Sequence, residues 1–254
     1  IKVMHVEAGL RSFDRSMPEE LNRIVTDHVS DYLMVSEPSG ISNLKNEGFD
    51  ERKYQLVGNI MIESLIRTRP KWQHIELPDN LKSSSNEKPF VMTFHRPENV
   101  DHKLTLEKVV QIVNSIAKYG KVIFPLHPRT KSNLLRFGLF DNLQEHGNIT
   151  LTEPLGYFHF LKIISDAGLV ITDSGGIQEE TTFLEVPCVT LRKGTERPIT
   201  VELGTNTVMD IWDKDLERKI NEHREQVCSS KKGQIPFWDE NVSGRIVQFI
   251  EERI

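Results

Sequence analysis

Short apolar runs alternate with amphipathic stretches along most of the chain. The apolar runs Tyr32 to Val35, Phe90 to Thr93 and Leu169 to Thr172 are typical of buried strands. Between such runs, apolar residues recur three or four positions apart, as in Pro18 to about His28 and Leu104 to about Tyr119, and this spacing is typical of helices. Strands that alternate with helices predict an α/β fold with parallel, doubly wound sheets.

The alternation breaks at residues 69–87, which carry prolines, a serine run and mixed charges and predict a linker. The pattern therefore divides the chain into part of a first α/β domain at 1–68, this linker, a second α/β domain at 88–235, and a C-terminal segment with a helix at 236–254. The chain begins directly with a strand and without an initiator methionine. We therefore expect upstream sequence to be missing and the first domain to be truncated.

Composition narrows the class of protein. Charged residues make up 27% of the 254 residues, and no apolar run approaches the roughly 20 residues of a membrane span. The net charge of −5 does not indicate a nucleic-acid surface. Two cysteines, Cys188 and Cys228, form neither a disulfide framework nor a metal cluster. We therefore expect a cytoplasmic protein that binds neither membranes nor nucleic acid.

The most informative stretch is Val170 to Glu180, VITDSGGIQEE, which predicts a strand, a tight turn and the start of a helix. Gly175 and Gly176 are expected to permit the sharp turn, and Ser174 suits the N-cap. The free amides at such a helix end form an anion site suited to phosphate. Glu180, about one and a half turns into the helix, is placed to accept hydrogen bonds from sugar hydroxyls. For a lone glycine pair, an ordinary structural turn is the alternative.

Three polar loops in the second predicted domain follow strands: His95 to Asn99, Asp173 to Gly176, and Arg192 to Arg197. Because the carboxyl ends of the strands in an open α/β sheet line one crevice, we expect these loops to lie together. Their positive charge in an acidic protein fits a diphosphate. Taken singly, His95 could be an ordinary loop residue, and Arg197 could merely pair with its neighbour.

The first predicted domain offers acids in two places. Glu7 follows the short strand Lys2 to Val6, and Glu19 and Glu20 follow Pro18 at the start of a helix. Catalytic groups commonly lie just beyond strand ends in such sheets. Acids in the first turn of a helix are also favoured by the helix dipole alone, so Glu19 and Glu20 have a purely structural alternative.

Five motifs, in this order, resemble those of non-hydrolysing UDP-N-acetylglucosamine 2-epimerases: His5 to Arg11, Pro18 to Arg23, Phe94 to Asn99, Asp173 to Glu180 and Thr195 to Pro198. The resemblance implies two Rossmann-like domains of the glycosyltransferase-B (GT-B) type, with the active site in the cleft between them and UDP bound by the second. It also implies a C-terminal helix that returns to the first domain. The family's Gly-Thr-Arg-Pro-Glu type loop and a further catalytic aspartate cannot be placed in this sequence.

The reaction that the resemblance implies interconverts UDP-N-acetylglucosamine (UDP-GlcNAc) and UDP-N-acetylmannosamine (UDP-ManNAc) by expelling UDP from C1 to give a glycal and adding it back. Glu7 and Glu19 match the family's catalytic acids, and Glu180 matches the residue that binds the ribose. No metal or redox cofactor is implied. Physical reasoning assigns the leaving diphosphate to the amides of residues 174–176, His95 and Arg197.

Three alternatives remain open at this point: a hydrolysing 2-epimerase that releases UDP and free ManNAc, a UDP-sugar glycosyltransferase, and a UDP-sugar-binding module without turnover. A transferase does not need the acid pair Glu7 and Glu19. The resemblance further implies a homodimer, a role in polysaccharide biosynthesis and, in bacterial members, regulation by UDP-GlcNAc. Arg96 and His127 are candidates for the regulatory site, although His127 could equally belong to a structural turn.

Overall fold

The computed structural model describes residues 1–82, 87–229 and 235–253, with the backbone alone at 228 and 229. The strands are β1 Met4–Ala8, β2 Tyr32–Val35, β3 Tyr54–Leu56, β4 Phe90–Thr93, β5 Val122–Pro125, β6 Ile149–Thr152, β7 Leu169–Thr172, β8 Cys188–Leu191 and β9 Asn206–Met209. The helices are α1 Pro18–Val29, α2 Pro38–Asn46, α3 Ile60–Trp72, α4 Pro97–Val100, α5 Lys103–Ile116, α6 Pro128–Arg136, α7 Phe140–Gln144, α8 Tyr157–Asp166, α9 Gly175–Phe183, α10 Ile199–Glu202, α11 Leu216–Ser229 and α12 Val242–Arg253.

Contacts along the described parts of the chain define two compact units. Unit 1 comprises Ile1–Arg69, Gly194–Gly204 and Gly233–Ile254, and unit 2 comprises Pro70–Lys193 and Thr205–Lys232. Unit 1 is therefore built from three segments of the chain and unit 2 from two.

Residues 194–204 differ from the predicted domain division. The sequence assigned them to the second domain, 88–235, because they follow a buried strand. In the structure they belong to unit 1, where Arg197 pairs with Glu7 and with Glu196. A pairing over such a long sequence separation leaves no local pattern from which to predict it.

The predicted linker at 69–87 contributes ordered structure. Helix α3 continues through its start and ends at Trp72. A short 3-10 turn at Asp79–Leu81 follows, and Leu77 and Leu81 are buried in a core of unit 2. Residues 83–86 of this stretch lie outside the described residues.

The sheet of unit 1 is parallel, with its strands in the order β1-β2-β3. Successive residues of β2 point to opposite faces, as the pleat requires. Leu33 and Val35 pack in a core on one face, whereas Met34 packs on the other with Val242 and Phe249 of α12. The C-terminal helix is thus part of the core of unit 1.

Two contacts attach the start of α12 and the segment before it to the rest of unit 1. The buried carboxylate of Glu63 accepts hydrogen bonds from the amide of Ser243 at 2.5 Å and from its hydroxyl at 2.6 Å, which satisfies donors at the helix start. Gly58 has φ +94° and lies against Phe237, so that a Cβ at Gly58 would be 2.0 Å from the Phe237 carbonyl oxygen. Only glycine fits both the conformation and the space.

The sheet of unit 2 contains six parallel strands in the order β6-β5-β4-β7-β8-β9. Leu169 and Ile171 of β7 lie in one core and Val170 in the other, so this strand is covered on both faces. The strand order reverses between β4 and β7, which makes that junction the switch point where α/β sheets bind ligands. The prediction of an α/β fold with parallel, doubly wound sheets is confirmed.

Helix boundaries differ from the sequence pattern in a few places. Helix α4 begins at Pro97, within the predicted loop His95 to Asn99, and α6 begins at Pro128. Proline suits the first turn because its missing N–H is not needed there. Helix α7 was not predicted. No helix in the described residues combines the length and apolar character needed to cross a bilayer.

Candidate active site

A histidine and an aspartate meet at the switch point of unit 2. Strands β4 and β7 are parallel neighbours, with Thr93 opposite Thr172 in the register, so the residues after them leave the sheet at the same edge. Asp173 follows β7 directly and His95 lies two residues beyond β4. Nδ1 of His95 is 3.0 Å from Oδ1 of Asp173.

Asp173 is completely buried and is held as an ionised acceptor. Burial acts to raise the pKa of Asp173, but hydrogen bonds from His95, from the Arg96 amide and from the Asn99 side chain outweigh it and hold the pKa below its usual value. The amide of Arg96 and Nδ2 of Asn99 lie 3.0 and 3.1 Å from Oδ2. Because a carboxylate only accepts, the proton on this side of the His95 ring resides on Nδ1, and Nε2 is available for other chemistry.

The two candidate regulatory residues lie around His95. The rings of His95 and His127 have centroids 5.6 Å apart, and Nε of Arg96 donates to the backbone oxygen of Asp173 at 3.1 Å. His127 also has a local role, since its Nδ1 accepts from the amide of Arg129 at 3.2 Å and caps α6. Both side chains therefore lie near the candidate catalytic histidine and stabilise local backbone as well.

The turn before α9 is built differently from the prediction. Ser174 occupies the N-cap position, but its side chain makes no capping hydrogen bond; its amide instead donates to the Thr172 hydroxyl at 3.0 Å. Gly175 and Gly176 both lie within α9, and neither has a positive φ, so the turn does not use the conformational freedom of glycine. A Cβ at Gly176 would meet no atom within 4 Å, which leaves open space at the start of the helix.

Glu180, on the same helix, is a buried carboxyl group with a tyrosine against it. Burial raises the pKa of Glu180 to about 7, and the hydrogen bond from the Tyr157 hydroxyl offsets part of that rise. Burial and the charge of Glu180 raise the pKa of Tyr157 in turn. The sequence showed Tyr157 only as the start of a helix, because its partner is on a different element.

A buried polar chain supports the start of α9 from behind. Nε2 of Gln178 donates to the Ser174 carbonyl at 3.2 Å, Nδ2 of Asn206 donates to Gln178 at 3.1 Å, and the Thr190 hydroxyl donates to Asn206 at 2.7 Å. Such a chain rigidifies the helix end, since each member has its hydrogen bonds satisfied by the next. This chain of hydrogen bonds joins three elements. In the sequence its members appear only as polar residues within apolar runs, so it was not predicted.

Glu7, the residue before the last in β1, has a strained backbone conformation. Its φ is +74°, which is rare for a residue other than glycine, and the register between β1 and β2 shifts at this point. Oε1 of Glu7 lies 2.5 Å from a terminal nitrogen of Arg197, and the Glu7 side chain keeps 31% of its exposure. Strain of this kind concentrates at functional sites, so the structure favours a functional role for Glu7.

Arg197 lies in unit 1, whereas the sequence predicted it beside the diphosphate-binding loops of the second domain. Its second terminal nitrogen pairs with Glu196 at 2.8 Å, as the alternative interpretation of the sequence suggested. The immediate neighbours of Arg197 are therefore acids of unit 1, and its local effect is to stabilise the carboxylate of Glu7.

The two acids at the start of α1 differ in environment. Glu20 is buried and accepts hydrogen bonds from the amides of Ser12 and Phe13, both at 2.9 Å, so it organises the loop after β1. Glu19 is exposed in the first turn. Of the pair, Glu19 is the acid that can reach a ligand, and its catalytic role remains a prediction.

A buried aspartate beneath the β1 loop was not found from the sequence. Asp27 of α1 has no exposure; it lies 2.6 Å from Nδ1 of His5 and 2.7 Å from a terminal nitrogen of Arg11, and it accepts from the amide of Gly9 at 3.1 Å. Burial acts to raise the pKa of Asp27, but the hydrogen bonds from His5 and Arg11 outweigh it and lower the pKa. This network fixes the residues on both sides of Glu7.

Among the residues that the structure describes, no group of three or more His, Cys, Asp or Glu side chains is arranged to hold a metal ion. The polar groups at the two strand ends are organised instead by hydrogen bonds and ion pairs with each other.

The sequence and the fold match one family of known proteins. The family model described as UDP-N-acetylglucosamine 2-epimerase matches residues 1–251. A UDP-N-acetylglucosamine 2-epimerase of Methanococcus maripaludis is 42% identical over 251 residues, which is 97% of this chain and 68% of the relative. A UDP-2,3-diacetamido-2,3-dideoxy-D-glucuronate 2-epimerase of Pseudomonas aeruginosa is 39% identical over 82% of this chain and 57% of its own length.

A solved structure gives the same result for the fold. The crystal structure of the Methanocaldococcus jannaschii UDP-GlcNAc 2-epimerase, in complex with UDP-GlcNAc and UDP, matches with a TM-score of 0.86 at 40% identity, over 99% of this chain and 69% of that one. The predicted fold class, two Rossmann-like domains of the GT-B type, agrees with this match. The chain belongs to the UDP-N-acetylglucosamine 2-epimerase family.

Proposed function

We propose that this protein is an isomerase that interconverts UDP-GlcNAc and UDP-ManNAc. The observation that carries the proposal is the pairing of His95 with Asp173 at the switch point of unit 2, beside an open helix N-terminus, in a chain 42% identical to a named UDP-GlcNAc 2-epimerase. These elements suit a nucleotide diphosphate, because a helix N-terminus at the switch point can hold anionic oxygens and the histidine lies beside them.

Unit 2 holds the nucleotide in this proposal. The amides at the start of α9 bind the diphosphate, and the space above Gly176 admits it without a clash. Glu180 accepts hydrogen bonds from the ribose hydroxyls. The polar chain through Gln178 keeps the helix end in position, so little reorganisation is needed on binding.

His95 acts on the leaving group. Asp173 fixes the ring with Nδ1 as donor, which directs Nε2 toward a second partner. We assign that partner to the diphosphate, whose charge grows as the C1–O bond breaks. Stabilisation of the charge that develops in the transition state is the largest single contribution to the rate enhancement of many enzymes.

The carboxyl groups of unit 1 handle the proton at C2. In the elimination step, one of Glu7 and Glu19 accepts the C2 proton, the C–H electron pair forms the C1–C2 double bond, and UDP leaves with the C1–O pair. In the return step, UDP adds to C1 and the other acid delivers a proton to the opposite face of C2. Arg197 supports this role because its ion pair with Glu7 orients the carboxyl group.

The same proposal includes four further properties. They are a homodimer, a cytoplasmic location, regulation through Arg96 and His127, and a product used in polysaccharide biosynthesis. The family resemblance supports all four. The positions of Arg96 and His127 around His95 support the regulatory role, because a ligand bound to them would contact the catalytic ring.

One product assay tests the proposal and separates it from its alternatives. Full-length protein is incubated with UDP-GlcNAc in deuterated water, and C2 deuterium, UDP-ManNAc and free sugar are followed by NMR. Epimerisation with deuterium at C2 and no free sugar is expected. Release of UDP with free ManNAc would show the hydrolysing reaction, and binding without deuterium exchange would show a module without turnover.

A further inference from the structure

Glu7 is the extra residue of a β-bulge. In the pairing of β1 with β2, Val6 lies opposite Met34 and Ala8 lies opposite Val35, so two steps along β1 correspond to one step along β2. The φ of Glu7, +74°, is the one that glycine usually supplies at the first position of one class of bulge. Bulges bend a strand, redirect a side chain and are frequent next to active sites.

The bulge decides which side of the sheet each residue of β1 faces. Val6 packs against the core that includes α12, whereas Ala8 packs in the core on the opposite face. In a regular strand, residues two apart face the same side, so Ala8 would follow Val6 and the carboxyl group of Glu7 would be turned into the second core. The extra residue avoids this burial of a charge, and Oε1 of Glu7 lies 2.5 Å from a terminal nitrogen of Arg197.

Asp27 of α1 binds the chain on both sides of the bulge. Its Oδ1 lies 2.6 Å from Nδ1 of His5, two residues before Glu7. Its Oδ2 accepts from the amide of Gly9, two residues after Glu7, at 3.1 Å. Because a carboxylate only accepts, Nδ1 of His5 is the donor in the first of these bonds. One completely buried carboxylate therefore fixes the residues that flank Glu7 relative to each other.

A further set of bonds fixes the carboxylate of Asp27. A terminal nitrogen of Arg11 lies 2.7 Å from Oδ2 of Asp27. The other edge of the same guanidinium donates two hydrogen bonds of 2.7 Å to the carboxylate of Glu47. Connected polar groups of this kind make one another rigid, so Asp27 is held in the orientation in which it reaches both sides of the bulge.

We propose that Asp27 is a positioning residue for the reaction: by binding His5 and Gly9 together, it maintains the bulge and thereby directs the carboxyl group of Glu7 out of the sheet. The proposal rests on the proposed function in one respect, namely that Glu7 handles the C2 proton. Without both bonds, Glu7 relaxes toward the regular strand conformation, because a positive φ is unfavourable for a residue with a Cβ. Its carboxyl group is then misplaced for proton transfer.

Two variants of His5 in full-length protein separate positioning from folding. His5→Ala loses the bond to Asp27, whereas His5→Asn keeps a side-chain N–H close to the position of Nδ1. His5→Ala should lower kcat by about 100-fold, which is the size of the effect that misplacement of a reacting group by about 1 Å can produce. KM for UDP-GlcNAc should change little, because the proposed nucleotide contacts are in unit 2. His5→Asn should recover most of the lost turnover.

Asp27→Asn tests the same bonds from the other side. The amide has one accepting oxygen and one donating nitrogen, so it cannot accept from both His5 and Gly9. Like His5→Ala, it should lower kcat with little change in KM. Glu47→Gln is the matched control, because it weakens the ion pair of Arg11 and keeps the two bonds that flank the bulge. Its kcat should stay near that of wild type.

A measurement on the backbone of Glu7 does not depend on turnover. A positive φ brings the amide proton and the α-proton of a residue close together, which gives a strong nuclear Overhauser effect between them. Among the glutamates that the structure describes, Glu7 at +74° and Glu185 at +58° have such a φ. In protein labelled with ¹⁵N at glutamate, their signals are assigned from their loss in Glu7→Gln and Glu185→Gln. The Glu7 effect should weaken in His5→Ala and Asp27→Asn and persist in His5→Asn, and the Glu185 effect should persist in all three.

The outcomes separate the two proposals. A Glu7 effect as strong in His5→Ala as in wild type overturns the role of Asp27. Equal losses of turnover in His5→Ala and His5→Asn, or a similar loss in Glu47→Gln, overturn it as well, because a general loss of stability would then account for both. If Asp27→Asn does not fold, the two variants of His5 decide. A weakened Glu7 effect with unchanged kcat supports the hold of Asp27 on the bulge and overturns the proposed role of Glu7 in proton transfer.

Discussion

The ring of His95 and the carboxylate of Asp173 lie 3.0 Å apart although 78 residues separate them in sequence. The pairing of β4 with β7 brings them together, because both strands end at the same edge of the sheet. Asp173 also holds the backbone of the His95 loop through the amides of His95 and Arg96. One buried carboxylate thus fixes both the position and the tautomer of the histidine.

Replacing Asp173 with Asn should lower turnover by about 100-fold or more, because the amide no longer fixes His95 in the required tautomer. UDP affinity should change less than turnover. Steady-state kinetics and calorimetry on the same protein measure the two effects. Asn99→Ala, which removes only one of the hydrogen bonds to Asp173, is the matched control and should have a smaller effect; an equal loss in both variants would indicate a folding defect.

Gly176→Val should abolish UDP binding and leave the protein folded. A Cβ at Gly176 meets no protein atom within 4 Å, so we expect the new side chain to extend into the space proposed for the diphosphate. Gly147→Val is the control, since a Cβ at Gly147 also meets nothing within 4 Å and lies in a different loop. Calorimetry should show unchanged affinity for the control, and unchanged affinity for Gly176→Val would exclude the assigned diphosphate site.

UDP binding should release a proton from Glu180 near pH 6. Its pKa is about 7 in the free protein, so the group is mostly neutral at pH 6, and hydroxyl donors from the ribose favour the charged form. Binding enthalpies measured in buffers of different ionisation enthalpy should differ at pH 6 and agree at pH 9. Glu180→Gln should bind about 10-fold more weakly and show no buffer dependence. If the buffer dependence persists in this variant, the released proton comes from a group other than Glu180.

Glu7→Gln and Glu19→Gln should each bind UDP almost normally and lose most turnover. Each variant lacks one of the carboxyl groups that accept or return the C2 proton. If Glu19 served only as a charge at the start of α1, its replacement would cost about 0.3–1 kcal/mol of stability and leave the rate nearly intact. Turnover close to wild type would remove the residue concerned from the mechanism.

Asp27→Asn should destabilise the protein by about 3–5 kcal/mol at pH 7, because it leaves the buried Arg11 without one of its carboxylate partners. The folded pKa of Asp27 lies below its unfolded value, so its contribution is present above about pH 4 and is lost as the pH falls through the folded value. Denaturant unfolding should therefore show a large difference between wild type and variant at pH 7 and a smaller one near pH 3. A difference independent of pH would assign the effect to packing.

The sequence predicted strands and helices correctly where the local pattern of apolar and polar residues determines them. Strand β7 and the start of α9 were found because apolar, β-branched residues give way to Ser174 and two glycines. His95 was placed correctly beside that turn, because the edge of a parallel sheet follows from the order of strands and helices alone. Its partner Asp173 lay in a motif already singled out.

Side-chain pairs between distant segments could not be predicted in the same way. The pairing of Arg197 with Glu7 was not predicted, because Glu7 is 190 residues away and no local pattern records the pairing. Asp27 was missed for a related reason: it is an unremarkable acid in sequence, and only its burial beside Arg11 distinguishes it. The open space at Gly176 likewise depends on what surrounds the helix end.

The division of unit 1 among three segments affects its synthesis on the ribosome. The strands of its sheet emerge first, but Arg197 follows Glu7 by 190 residues and α12, which covers one face of the sheet, emerges later still. At about 5–20 residues per second, roughly 10–40 s pass before the arginine is available. Until α12 emerges, the nascent chain carries an incompletely covered apolar face, and we expect that face to be open to chaperone binding during this interval.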